Sequence, residues 1–212
     1  FWIARELQRQ GVEVTVAHAA DIPSSDKQKR RKNDQRDSYR IGDSLRKGQL
    51  EKVYVLSDEQ EMERCFARER WRISKEERRI KNQIKSHLNF RGITAPENIN
   101  MRYWSKRMVD WLEQEAEQRK DLALRLKLNT YQVIRQMQLK AIKELRSYFK
   151  DKHQDLFTVL RSVPGIGVLT AILLITELIN MQRFETTDQL LNYVGLVPDT
   201  YCSGEQKRVG EM

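Results

Sequence analysis

Phe66-Ala67-Arg68-Glu69-Arg70-Trp71-Arg72-Ile73-Ser74-Lys75-Glu76-Glu77-Arg78-Arg79-Ile80 sets an apolar side chain at Phe66, Ile73 and Ile80, one every seven residues, in a background of arginine, lysine and glutamate. A repeat of that period marks a helix with one buried stripe that packs on another helix. Met62, Ile84 and Leu88 lie close to the same stripe and carry it beyond both ends of the quoted stretch. Ser57 stands three residues before Gln60, the spacing of a capping box, and Gly92 suits the left-handed stop of a helix. The stretch therefore reads as a long coiled-coil helix from Ser57 to Gly92. Thr94-Ala95-Pro96-Glu97-Asn98 makes the reversal. Trp104, Met108, Trp111 and Leu112 then mark an amphipathic helix, and Tyr131, Ile134, Met137, Ile142, Leu145, Phe149, Leu156 and Leu160 a longer one. The two arms, Ser57 to Gly92 and about Ser105 to Leu160, are expected to pack antiparallel. Trp104 and Trp111 are assigned to that packing rather than to stacking on bases.

The 212 residues are 39% hydrophobic and 33% charged, with few glycines and prolines, which suits long helices with a limited core. The net charge is +9, so a polyanion is a better partner than an acidic small molecule. Cys65 and Cys202 are far apart, and His18, His87 and His153 are equally scattered. That distribution points away from a disulfide framework and from a cysteine-based zinc site. No apolar run approaches the length of a membrane span and no signal peptide is evident, so a cytoplasmic chain without a membrane partner is expected.

Toward the N-terminus, Phe1 to Gln10 reads as the end of an amphipathic helix with Phe1, Ile3, Ala4 and Leu7 inward and Gly11 at its stop. Val12, Val14 and Val16 alternate with Glu13 and Thr15, the pattern of a short strand, and Val53-Tyr54-Val55 reads as a second. Between them lies Lys27-Gln28-Lys29-Arg30-Arg31-Lys32, either a solvated loop or a set of contacts to a phosphate backbone. Lys32-Asn33-Asp34-Gln35-Arg36-Asp37 opens a helix that ends before Gly48, with Ile41 and Leu45 on its buried face. Asp34 and Asp37 share one face of that helix. They serve either its dipole and cap, or a hard divalent cation that prefers oxygen ligands.

Toward the C-terminus, Ser162-Val163-Pro164-Gly165-Ile166-Gly167 opens an apolar helical run from Val168 to Ile179. A Pro-Gly-Ile-Gly turn between two helices is a helix-hairpin-helix signature, since its glycines allow a sharp turn and its N–H groups suit a phosphate. The alternative is a tight turn in a helical core. Farther on stand Asn192-Tyr193-Val194-Gly195-Leu196-Val197-Pro198 and then Ser203-Gly204. By itself Ser203 is one hydroxyl in a polar loop.

Those C-terminal motifs resemble the transposase domain of the bridge-RNA-guided DEDD transposases, insertion-sequence family one-ten, in its IS116/IS902-like form. Lys32-Asn33-Asp34-Gln35-Arg36-Asp37 in turn looks like the K-T-D-x-x-D element that closes the RuvC-like site of the same family. The resemblance implies a mainly α chain in three parts. Residues 1–56 would be the C-terminal part of an α/β RuvC-like (RNase H-like) domain, 57–157 a long antiparallel helical coiled coil, and 158–212 the start of a helical transposase domain with a helix-hairpin-helix turn. It further implies a DNA transposase or recombinase acting on insertion-sequence ends. Ser203 would be the nucleophile, Asp34 and Asp37 the third and fourth acids of a Mg²⁺ site, and a structured guide RNA and a homo-oligomer the partners. Lys27, Lys29, Arg30, Arg31, Lys32, Gly165 and Gly167 would contact nucleic acid. The first two acids of the site are expected before Phe1, the chain then being a piece lacking both ends and inactive alone. Two other classes of reading stay open: a helix-hairpin-helix module that only binds nucleic acid, and a RuvC-type nuclease that uses metal and water.

Overall fold

The computed structural model describes residues 1–22, 33–196, 200–203 and 206–209. The protein is mainly helical: α1 (Trp2–Arg9), α2 (Asp34–Arg46), α3 (Asp58–Phe90), α4 (Lys106–Gln118), α5 (Leu122–Lys152), α6 (Gln154–Ser162), α7 (Val168–Leu178) and α8 (Thr187–Tyr193). A hairpin of β1 (Thr200–Ser203) and β2 (Gln206–Val209) follows. The chain folds as two compact units, one of Phe1–Gln60 with Asn180–Met212 and one of Glu61–Ile179.

The helices of the second unit begin and end where local chemistry dictates. α3 opens on the reciprocal box read from the sequence: Gln60 N–H donates to Ser57 Oγ at 3.1 Å, and Ser57 N–H donates to Gln60 Oε1 at 3.0 Å. It closes before Gly92, whose φ is +63°. Ser105 caps α4 and Asp121 caps α5, each accepting the N–H three residues on. The second arm is not one helix. It breaks at Lys120, at φ +52°, and again at His153, where α5 gives way to α6.

α3 and α5 run antiparallel, as three ion pairs in opposite chain order show. His87 meets Asp121 at 2.8 Å, Arg135 meets Glu77 at 3.5 Å, and Lys152 meets Glu63 at 2.6 Å. Two apolar clusters fill the unit. One joins Ile80, Ile84 and Leu88 of α3 to Met108, Trp111 and Leu112 of α4 and to Leu124, Leu128 and Tyr131 of α5. Trp104 packs against it with its ring 4.6 Å from that of Tyr131, so both tryptophans serve packing. The other cluster joins Ala67 of α3 to Leu145 and Phe149 of α5 and to Ile172 and Ile175 of α7.

The stripe of α3 is only half apolar. Phe66, Ile73 and Ile80 occupy one register of the repeat, while the alternate register carries Glu63, Arg70, Glu77 and Ile84. Glu63 and Glu77 are nevertheless buried, at 6% and 4% exposure. Basic side chains reach both: Lys152 and His153 meet Glu63, and Lys81 and Arg135 meet Glu77. Met62, Met137 and Leu156, which share the apolar pattern, face solvent.

The first unit corrects the sequence reading in three places. Gly11 does end α1, at φ +80°, but only Ala4 is buried, and Phe1, Ile3 and Leu7 are exposed. Ile41 and Leu45 of α2 are exposed too, and Ser44 takes the buried position. Periodicity tells which face is apolar, but burial needs a surface opposite it, and the described residues of this unit supply none. The two expected strands, Val12 to Val16 and Val53 to Val55, form no ladder. Val53 N–H donates to the Val16 carbonyl at 2.7 Å, and one bond pins two segments without registering a sheet. The strands that do form are β1 and β2, antiparallel, with Thr200 opposite Val209 and Ser203 opposite Gln206. Arg5 ties α1 to the start of α3, donating to the Leu56 carbonyl at 2.8 Å and pairing with Asp58 at 2.7 Å. The Arg183 guanidinium stacks over the rings of Tyr54, Phe184 and Tyr193.

Candidate functional site

Asp34 and Asp37 sit in the first turn of α2, on one face, as their spacing requires. Neither caps the helix. Asn33 does so, accepting Gln35 N–H at 2.9 Å, which leaves both carboxylates to act through charge. Asp37 pairs with Arg40 at 3.1 Å, and Asp34 has no ion pair among the described residues. No group of three or more His, Cys, Asp and Glu side chains comes together as a metal cage among the described residues. Two oxygen ligands on one helical turn suit a hydrated Mg²⁺, which keeps several waters and takes few protein carboxylates.

Ser203 is the last residue of β1, opposite Gln206, rather than part of an open loop. The hairpin holds its backbone through cross-strand bonds, a firmer seat than a polar loop provides. Lys27, Lys29, Arg30, Arg31 and Lys32 lie outside the described residues.

Gly165 and Gly167 occupy the link between α6 and α7. Gly165 takes φ +89°, a conformation that a side chain resists, and Ile166 N–H closes the turn onto the Val163 carbonyl at 3.1 Å. Gly167 is the N-cap residue of α7 at φ −77° and offers no side-chain cap. The first intrahelical bond runs from Ala171 N–H to the Gly167 carbonyl, so the amides of Val168, Leu169 and Thr170 open toward an incoming acceptor. Beside them is a cleft of about 580 Å³ lined by Arg146 and Lys150 of α5, by Phe157 and Arg161 of α6 and by Gly167 to Thr170. The three cations were not legible as a group in the sequence, being scattered among 39 lysines and arginines. The signal that could have found them is the four-residue step from Arg146 to Lys150 on one helix face, with Arg161 three residues before Pro164-Gly165-Ile166-Gly167.

The histidines are structural. His87 Nε2–H donates to Asp121 Oδ2 at 2.8 Å, and His153 Nε2 lies 3.0 Å from Glu63 Oε1. The amide of Leu124 and the imidazole of His87 hold the Asp121 carboxyl below its ordinary 3.8. Burial pushes the Glu63 carboxyl up, but Lys152 and His153 outweigh it and leave the group below its ordinary 4.5.

Two transposase family models match the chain. A DEDD transposase model of the IS110 type covers residues 1–91, and the model described as the transposase IS116/IS110/IS902 family covers residues 158–212. The chain belongs to the IS110 transposase family. Two proteins of Sinorhizobium fredii (strain NBRC 101917 / NGR234) carrying transposase names are similar to this IS110-family chain. One, y4qE, is 26% identical over 99% of the chain and 50% of its own length. The other, y4rJ, is 27% identical over 96% of the chain and 56% of its own length. The chain thus spans about half the length of these curated relatives. No solved structure matches it. No described helix is long and apolar enough to cross a membrane.

Proposed function

We propose that this chain is part of a DNA recombinase that moves insertion-sequence ends by serine attack on a DNA phosphate. Its division would be 1–56 RuvC-like, 57–157 a helical spacer through which protomers associate, and 158–212 transposase domain. The observation that carries the reading is that two transposase family models match opposite ends of the chain, one over Asp34 and Asp37 and the other over Ser203. DNA is the substrate, and a guide RNA, by family resemblance, is the partner that chooses the target.

In this reading Ser203 Oγ bonds to phosphorus, the bond from phosphorus to a deoxyribose oxygen breaks, and that oxygen takes up a proton as the seryl proton passes to water. A serine hydroxyl is a weak nucleophile at neutral pH and needs activation. Asp34 and Asp37 would hold Mg²⁺, which when bound neutralises charge developing on the phosphate and its leaving oxygen. The phosphoserine link preserves the energy of the broken bond, so a second strand's hydroxyl can displace the serine and reseal the DNA without an external source of energy.

The test separates three mechanisms in one gel. The full-length transposase is incubated with DNA carrying insertion-sequence ends, and products are run before and after protease treatment. A protein-linked strand that protease releases, present in wild type and absent in Ser203→Ala, is the expected result. Cleaved strands free of protein would show a metal-and-water nuclease, and binding without cleavage would show a nucleic-acid-binding module.

A further inference from the structure

We propose that the cleft formed by α5, α6 and the first turn of α7 is a seat for the phosphodiester backbone of duplex DNA, with Arg146, Lys150 and Arg161 as its cationic contacts. The inference rests on the reading of the chain as a DNA-handling protein and names a surface for that contact. The charge pattern carries it. Several cations elsewhere on this protein are neutralised by carboxylates one helical turn away, as in Arg72 with Glu69, Arg119 with Glu115 and Lys47 with Asp43. The three cations at the cleft have no ion pair among the described residues, and no carboxylate is among the residues lining it.

They come from two helices and converge on one concavity, so their mutual repulsion is left for an anion from outside to relieve. The open amides of Val168, Leu169 and Thr170 add donors on the same wall, and the positive end of α7 adds partial charge of the same sign. The lining offers cations, amides, apolar side chains and one hydroxyl, with no Asn, Gln, Asp or Glu to read adenine or cytosine. Contacts of this kind position a duplex and bind it without regard to sequence.

The experiment uses the 212-residue chain and a fluorescently labelled random duplex of about 20 base pairs, with anisotropy read across a salt series. Each lost phosphate contact lowers the slope of log affinity against log salt by about 0.9, so Arg146→Gln, Lys150→Gln and Arg161→Gln together should lower it by about 2.7. Affinity at about 100 mM salt should fall at least about tenfold. The control, Lys106→Gln with Arg107→Gln and Lys120→Gln, removes the same charge from exposed positions away from the cleft and should lose much less. Equal losses in both variants would overturn the proposal, as would an unchanged slope in the cleft variant. Circular dichroism checks folding, and if the triple variant misfolds, Gly167→Ala gives an independent reading. Its added methyl meets nothing within 4 Å in the protein but intrudes where a phosphate would approach. It should weaken binding severalfold, and unchanged binding would count against the cleft. Tighter binding of a structured RNA than of the duplex, lost in the same triple variant, would overturn DNA as the ligand. Failure to find a Ser203 adduct would sink the recombinase reading and leave this result untouched.

Discussion

Gly165 and Gly167 are interchangeable in the sequence motif and are not so in the fold. Gly165 sits at φ +89°, where a β-carbon collides with its own backbone, although nothing else lies within 4 Å of that position. Gly165→Ala should therefore destabilise the chain by about 1 kcal/mol, read as a lowered thermal midpoint. Gly167→Ala, at an ordinary φ with open space around it, should lower the midpoint by less, through the weaker N-cap that alanine makes. Ser203 shows the same gap between motif and setting. Its backbone is held in a strand pair, so Ser203→Ala should remove the covalent adduct while leaving the melting curve within about 0.5 kcal/mol of wild type. Asp34 and Asp37 offer only two oxygen ligand groups on one turn, and Asp37 is already engaged with Arg40. Calorimetry on this chain should find Mg²⁺ affinity weaker than micromolar, and micromolar binding lost in Asp34→Asn would show a more complete site than these two residues provide.

Among the elements, α5 has its beginning and its end fixed by acids that reach α3 or are reached from it. Asp121 caps α5 and accepts from His87, so Asp121→Ala removes a cap and strands an imidazole, at a cost of about 1–2 kcal/mol. Asp121→Asn retains the cap and should cost less. Because the fold holds the Asp121 carboxyl below 3.8, its contribution is complete above about pH 4 and fades as pH falls through the lower folded value. Glu63 behaves likewise from its ordinary 4.5, being also lowered in the fold. Acid titration of wild type should thus lose stability below pH about 4, with a smaller slope in Asp121→Asn. Glu63→Ala would leave Lys152, His153 and the Tyr148 hydroxyl without their shared acceptor and should cost about 3 kcal/mol in a urea melt. This acid seam also explains why a seven-residue repeat was a partial guide to α3. The repeat was visible at Phe66, Ile73 and Ile80, whereas the burial of Glu63 depends on a cation about ninety residues away in the chain, and Glu77 is met both by Lys81 on its own helix and by the distant Arg135.

Across the molecule, stability concentrates where three helices of the second unit share a core. Phe149 is fully buried among Ala67, Leu145, Ile172 and Ile175, so Phe149→Ala should cost about 3–5 kcal/mol and shift the denaturant midpoint sharply. That is a large share of the stability of a domain this size. What the sequence by itself determined is what local chemistry controls. The helical class, the Ser57 and Gln60 box, the glycine stops at Gly11 and Gly92, the turn at Gly165 and the packing of Trp104 and Trp111 all follow from periodicity, capping and backbone freedom within a few residues. Tertiary structure alone decided which apolar faces are covered, since Ile3, Leu7, Ile41 and Leu45 carry the same pattern as Leu88 and Leu112 yet stay exposed. It decided that the valines at 12 to 16 and 53 to 55 share one hydrogen bond and no sheet, while Thr200–Ser203 pairs with Gln206–Val209. It also gathered Arg146, Lys150 and Arg161 at one cleft. Burial, strand pairing and convergence of charge each require a second surface, and a sequence pattern describes only the first.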